Sequence, residues 1–208
     1  LKWFAYWWSV AMKKLWKVTV LLLVMGIMVA VVTFDNRVNE LIVNDTTNLS
    51  NEIAYLPVGT TSGELAPDFS GTTLDGEVVT LSELRGKTVL VNIFATWCGP
   101  CRAEAPHLVD VDNELGGQVV FVGLNLQETS KAVAGFRDDF SIDFPLVLNE
   151  DGALTKIYQP IGLPTSWIID EEGVVRFVHA GPMTADFLRM AILDVQARRE
   201  VNPFATFR

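Results

Sequence analysis

Apolar positions along the chain fall into blocks of three kinds. Residues 18–34, VTVLLLVMGIMVAVVTF, run seventeen residues without a charge. TVLVNIF (88–94) and QVVFVGLN (118–125) are shorter, β-branched and not alternating, the pattern of strands buried on both faces. Elsewhere apolar residues recur at helical spacing, over 102–115, 129–140 and a short segment at 152–158. A last helix aligns Phe187, Leu188, Ala191, Ile192 and Val195 in one stripe, with Thr184 as its expected cap and Asp186 in its first turn. Further strands are predicted at FPLVL (144–148), within GLPTSWIID (162–170) and, after the turn EEG, at VVRFVHA (174–180). DFSGTTLDGEVVTLSEL reads as a hairpin with Asp75-Gly76 in its turn. Strands that alternate with helices and then close in a hairpin predict an α/β sandwich around a mixed central sheet.

Charge divides the chain. Residues 1–34 hold four lysines and no acid, so an overall balance of −9 leaves −13 for residues 35–208. So acidic a domain argues against nucleic acid as a partner. The uncharged run follows the four lysines and is just long enough to cross a bilayer as a helix. Trp3, Trp7, Trp8 and Trp16 suit the membrane interface. The positive-inside rule then leaves residues 1–17 in the cytoplasm, residues 18–34 as a single-pass signal anchor and the rest outside the cell membrane. No A-x-A site follows the run, so the anchor is expected to stay uncleaved. Met12, followed by KKLWK, is expected as a more usual start than Leu1. Residues 35–63 are polar and asparagine-rich and are expected as a linker, with the folded domain over 64–198 and a tail over 199–208.

The candidate chemistry sits in FATWCGPCRAEAP, residues 94–106, which holds both cysteines of the chain. A buried strand precedes them and a helix follows. A helix N-terminus offers unpaired N–H groups and the positive end of the dipole, so a thiolate there is stabilised. Pro100 fits the first helical turn, where its missing N–H costs nothing. Cys98 is therefore expected as the exposed, acidic nucleophile, and Cys101, one turn in, as the shielded resolving thiol. A structural disulfide would enclose too short a loop to stabilise much, and a zinc site would need four ligands, which His107 and His179 do not supply at finger-like spacing. The expected redox centre is the Cys98–Cys101 pair itself, with no metal and no cofactor.

WCGPC is identical to the active-site motif of thioredoxins, and GLPT (162–165) resembles the loop that carries their cis-proline, which makes Pro164 the cis candidate. Pro106 matches the proline inside their active-site helix. Together with APDF (66–69) and LDGEVVTLSELRGKTVLVNIFATWCGPCRAEAP, the chain resembles the TlpA/ResA-like membrane-anchored thiol–disulfide oxidoreductases over residues 64–198. That resemblance implies a thioredoxin fold with an added N-terminal hairpin and a central insertion near 126–148, preceded by one transmembrane helix. Plain thioredoxin has an aspartate six residues before the first cysteine, where this chain has Asn92. The ResA-like proteins have a glutamate three residues after the second cysteine, and Glu104 stands there. A carboxylate partly buried near Cys101 would have a raised pKa and could accept its proton.

The resemblance also implies Trp97 as an apolar lid on the thiols, Gly99 and Pro100 as the spacer that shapes the motif, and a client groove around Trp97, Leu163 and Pro164. Trp167 is expected in the core and His107 on the surface. The implied activity is reduction of protein disulfides outside the cytoplasm, for example in apocytochrome c before haem attachment, with electrons from a CcdA/DsbD-type membrane donor. Three other readings stay open: an oxidase that donates disulfides, a thiol peroxidase, and a non-catalytic module on the same scaffold. Against the peroxidase, Val91 and Ala95 stand where peroxiredoxins carry a proline and a threonine.

Overall fold

The turn at Asp75-Gly76, where Gly76 takes a φ of +86°, closes an antiparallel hairpin of β1 (Ser70–Thr72) and β2 (Val78–Thr80). The structure is a computed structural model that describes residues 25–28, 30–34, 37, 53 and 56–200, without the side chains of 198–200. A 3-10 turn, Leu81–Leu84, leads from the hairpin into β3 (Thr88–Phe94), in which every residue is buried. There follow α1 (Gly99–Leu115), β4 (Val119–Asn125), α2 (Ser130–Phe140), β5 (Leu146–Val147), α3 (Ala153–Tyr158), β6 (Thr165–Ile169), β7 (Val175–Ala180) and α4 (Ala185–Glu200).

The five long-range strands lie in the order β5-β4-β3-β6-β7. β3 pairs parallel with β4, and β4 with β5, while β6 and β7 run antiparallel. The mixed sheet expected from the strand–helix alternation is present, with β3 at its centre. Alternate residues of β3 serve two cores. Leu90 and Phe94 face a cluster shared with Ala105, Leu108 and Val111 of α1, Val133 and Phe136 of α2, and Leu188, Ile192 and Val195 of α4. Val89, Val91 and Ile93 face the other side, against Phe69, Leu81, Tyr158 and Trp167. Trp167 is in the core as expected, and its indole N–H donates to Thr60 O at 2.9 Å.

Three expectations change in detail. The strand expected at 144–148 is reduced to Leu146–Val147, because Pro145 has no N–H to give a ladder, and its outer edge is taken up by the hairpin. Leu74 N–H donates to Leu146 O at 2.8 Å and Leu148 N–H to Thr72 O at 2.9 Å. This covers an edge strand that would otherwise expose unpaired backbone. Phe187 is not on the buried stripe of α4. It lies at its rim, 38% exposed, against His179 and Phe177 of β7. Residues 56–63, expected as the end of the linker, are stitched to the domain ahead of Glu64: Leu65 N–H donates to Pro57 O at 2.8 Å, and Gly63 N–H to Val175 O at 2.8 Å.

The chain divides into two units, Leu1–Tyr55 and Leu56–Arg208. Within the first, residues 25–28 and 30–34 are helical, and Met25, Ile27, Met28, Val31, Val32 and Phe34 are exposed. The rest of the expected 18–34 span lies outside the described residues. Among the described residues no helix is long and apolar enough to cross a membrane.

Ile93 is fully buried at the centre of the sheet. Ile93→Ala is expected to lower unfolding free energy by about 2–5 kcal/mol in denaturant titrations, since a rigid central strand cannot collapse into the gap.

Candidate active site

β3 ends at Phe94, and the turn Ala95–Trp97 delivers the chain to the start of α1. Cys98 is the N-cap, with extended backbone (φ −77°, ψ 113°), and its Sγ accepts the Cys101 N–H at 3.3 Å. Gly99 and Pro100 occupy the first two helical positions, where no intrahelical N–H bond is lost. Cys98 and Cys101 are joined as a disulfide, with their Cα atoms 5.2 Å apart. In this oxidised state the expected contrast in exposure is small: Cys98 is 5% and Cys101 2% exposed. Pro106 lies inside α1 as expected.

β6 pairs antiparallel with β3, Ile93 opposite Thr165, so the residues just before β6 arrive beside the redox turn. The Leu163–Pro164 peptide bond there is cis, as the motif implies. Pro164 is buried, its carbonyl accepts the Gly181 N–H at 2.8 Å, and Leu163 packs against the cluster that includes both cysteines. Trp97 does not fold over the protein's own core; it is 69% exposed, and Ile161, before the cis bond, is 91% exposed. His107 is half-buried on α1.

Glu104 is more deeply buried than expected, at 1% exposure. Helical spacing puts it on the face of Cys101, Ala105 and Leu108, turned to the sheet. Two neutral donors hold its carboxylate: Asn92 Nδ2 reaches Oε2 at 2.9 Å and Met183 N–H reaches Oε1 at 3.0 Å. Asn92 gives its second amide hydrogen to Ser166 Oγ at 2.8 Å. Asn92, where plain thioredoxin has its acid, is therefore the partner of the displaced carboxylate. Ser166 and Met183 carry no motif signal; strand register and the β7–α4 connection bring them in. Burial pushes the Glu104 carboxyl up to about 7, against the downward pull of the Met183 and Asn92 donors. Such a group holds or releases a proton near neutrality, one helical turn from Cys101. Among the described residues no set of His, Cys, Asp or Glu is grouped to hold a metal ion.

Comparison with known proteins agrees with this geometry. The family described as Redoxin matches residues 61–192. The chain belongs to the Redoxin family. This redoxin is 36% identical over 140 residues to the thioredoxin-like protein YneN of Bacillus subtilis, spanning 66% of the chain and 82% of YneN. It is 35% identical over 127 residues to the thiol-disulfide oxidoreductase ResA of the same organism, spanning 61% of the chain and 71% of ResA. A thiol:disulfide interchange protein of the thioredoxin family from Chlorobium tepidum superposes with a TM-score of 0.57 at 32% identity, over 62% of the chain and 93% of that protein. The redoxin is a ResA/TlpA-like thiol–disulfide oxidoreductase with the thioredoxin fold.

The raised pKa of Glu104 has a consequence for stability. The folded protein holds this proton up to about pH 7, whereas the unfolded chain releases it near 4.5. Stability therefore falls as pH rises between those values, by on the order of 3 kcal/mol, and levels off above. Denaturant unfolding of the oxidised redoxin from about pH 4.5 to 8 is expected to show that slope, and Glu104→Gln to flatten it. A wild-type profile without the slope would return the carboxyl to the ordinary range.

Proposed function

We propose that the redoxin is a membrane-anchored reductase of protein disulfides, with Cys98 as the attacking thiol and Cys101 as the resolving one. The observation that carries the reading is the pairing of a thiol at a helix N-cap with a buried carboxylate one turn inside the same helix. In the reduced protein, the Cys98 thiolate attacks one sulfur of a client disulfide. That S–S bond breaks, a Cys98–client bond forms, and the departing client sulfur takes up a proton. Cys101 then passes its proton to the Glu104 carboxylate and attacks Cys98 Sγ. The mixed disulfide breaks, the second client sulfur leaves as a thiolate and takes up a proton from Glu104 or solvent, and the pair ends in the Cys98–Cys101 disulfide. Two electrons have moved to the client. The client chain is received at the surface around Trp97, Leu163 and Pro164, with Gly99 and Pro100 spacing the two thiols.

The uncharged run 18–34, preceded by four lysines, supports an anchor that holds the catalytic domain outside the cytoplasm. There the pair must be re-reduced across the membrane, which calls for a donor of the CcdA/DsbD type. Apocytochrome c, whose cysteines must be reduced before haem attachment, is the client class that the family resemblance implies.

Cys101→Ser is expected to accumulate mixed disulfides with clients, and Cys98→Ser to form none, on non-reducing gels after acid trapping. A reduction potential near or below about −270 mV in dithiothreitol buffers fits the reductase, whereas a value near −120 mV would make the protein an oxidase. Alkaline carbonate washing should leave the chain with the membranes; its release would remove the anchor from the proposal.

A further inference from the structure

Cys98 hangs from a three-residue turn that neither sheet nor helix shapes by itself, and a carboxylate from a distant loop grips its middle. Glu128, between β4 and α2, accepts the Thr96 N–H on Oε2 at 2.7 Å and the Thr96 hydroxyl on Oε1. Glu128 is itself fixed. Asn125 Nδ2 donates to Oε2 at 2.7 Å, and Asn125 Oδ1 accepts the Glu128 N–H at 3.1 Å. Asn125 is fully buried at the end of β4, level with Phe94 on β3, and Leu126 N–H donates to Phe94 O at 2.8 Å. The intervening Gln127 takes a φ of +53°, uncommon for a residue with a side chain. Within the turn, Cys98 N–H donates to Ala95 O at 3.2 Å. The other charged group on the turn is Arg102 of α1, which reaches Thr96 O at 3.4 Å and is paired at 2.9 Å with Asp139 of α2.

We propose that Glu128 is a positioning residue for the thiol exchange: its carboxylate locks the Ala95–Trp97 turn so that the Cys98 sulfur stays seated on the N-terminus of α1. The inference rests on Cys98 being the attacking thiol. That seat is a directional contact, Cys101 N–H to Cys98 Sγ at 3.3 Å. Stabilisation by a helix terminus fades within one turn, so a modest rotation of the residues before Cys98 weakens it. Three of the four bonds around Glu128 are accepted by its carboxylate, and two of those come from the residue two positions before the nucleophile.

Glu128→Ala and Glu128→Gln separate the grip from the charge. Both lose the negative charge, but the glutamine amide can accept from Thr96 N–H and donate to Thr96 Oγ1, whereas alanine can do neither. The reduced 208-residue chain is alkylated with iodoacetamide across a pH series, and the modified cysteine is located by mass spectrometry. The Cys98 titration is expected to lie higher in Glu128→Ala than in Glu128→Gln by on the order of half a pH unit. Insulin-disulfide reduction at neutral pH is expected to be about threefold slower in the alanine variant, in proportion to the lost thiolate. Equal titration and rate in the two variants would overturn the proposal, even if the alanine variant melts earlier. Should Glu128→Ala fail to fold, Thr96→Val against Thr96→Ser poses the same question, because serine keeps the hydroxyl. Alkylation of wild-type Cys101 in place of Cys98 would instead overturn the assignment of the nucleophile, and this inference with it.

Discussion

The carboxylate of Glu104 ties the redox helix to the rest of the molecule. It leaves α1, enters a region from which water is excluded, and meets a donor from the central strand and another from the connection before α4. A buried carboxyl without partners would be strongly unfavourable, so α1 can pack only where both donors are waiting. The same arrangement keeps a proton-binding group of near-neutral affinity close to Cys101. Structural locking and proton chemistry are thus one interaction, and substitutions that loosen the packing of α1 also change the acid–base behaviour of the site.

The division of β3 into two alternating faces explains how this site can be deeply buried yet close to the surface. Leu90 and Phe94 support α1 from below, while Val89, Val91 and Ile93 fasten the strand to the layer that holds Trp167 and Tyr158. Asn92 is a buried polar residue on the strand face of Leu90 and Phe94. It is accepted there because both amide hydrogens are used, by Glu104 and by Ser166. β6 enters beside the same end of the sheet, so the cis peptide and the thiols meet at one rim.

Features that depend on neighbours in sequence were legible in the chain. The buried strands, the capped helices, the Asp75-Gly76 turn and the placement of Cys98, Pro100 and Cys101 follow from local pattern and spacing. Pro164 and Glu104 needed the family resemblance, since an isolated proline or glutamate carries no such signal. What stayed hidden depends on contacts far apart in sequence. Asn92 meets Ser166 only through strand register, and Glu104 meets Met183 only because α4 packs against α1. Glu128 left a faint local trace, an asparagine at a strand end with an acid three residues on, but its partner Thr96 lies 32 residues away. Residues 56–63 looked like tether because they are polar, and they are held by backbone bonds that composition does not report.

That stitched segment also gives the domain a direction. Gly63 and Leu65 join at Val174 and Val175, next to the Ile169 end of β6, whereas the thiols leave from the Phe94 end of β3. Between Val89, opposite Ile169, and Ile93, opposite Thr165, the strand advances roughly 13 Å at about 3.3 Å per residue. The chain therefore enters at one pole of the sheet and does its chemistry at the other. Whatever holds the domain by its entry segment therefore takes hold at the pole away from the thiols.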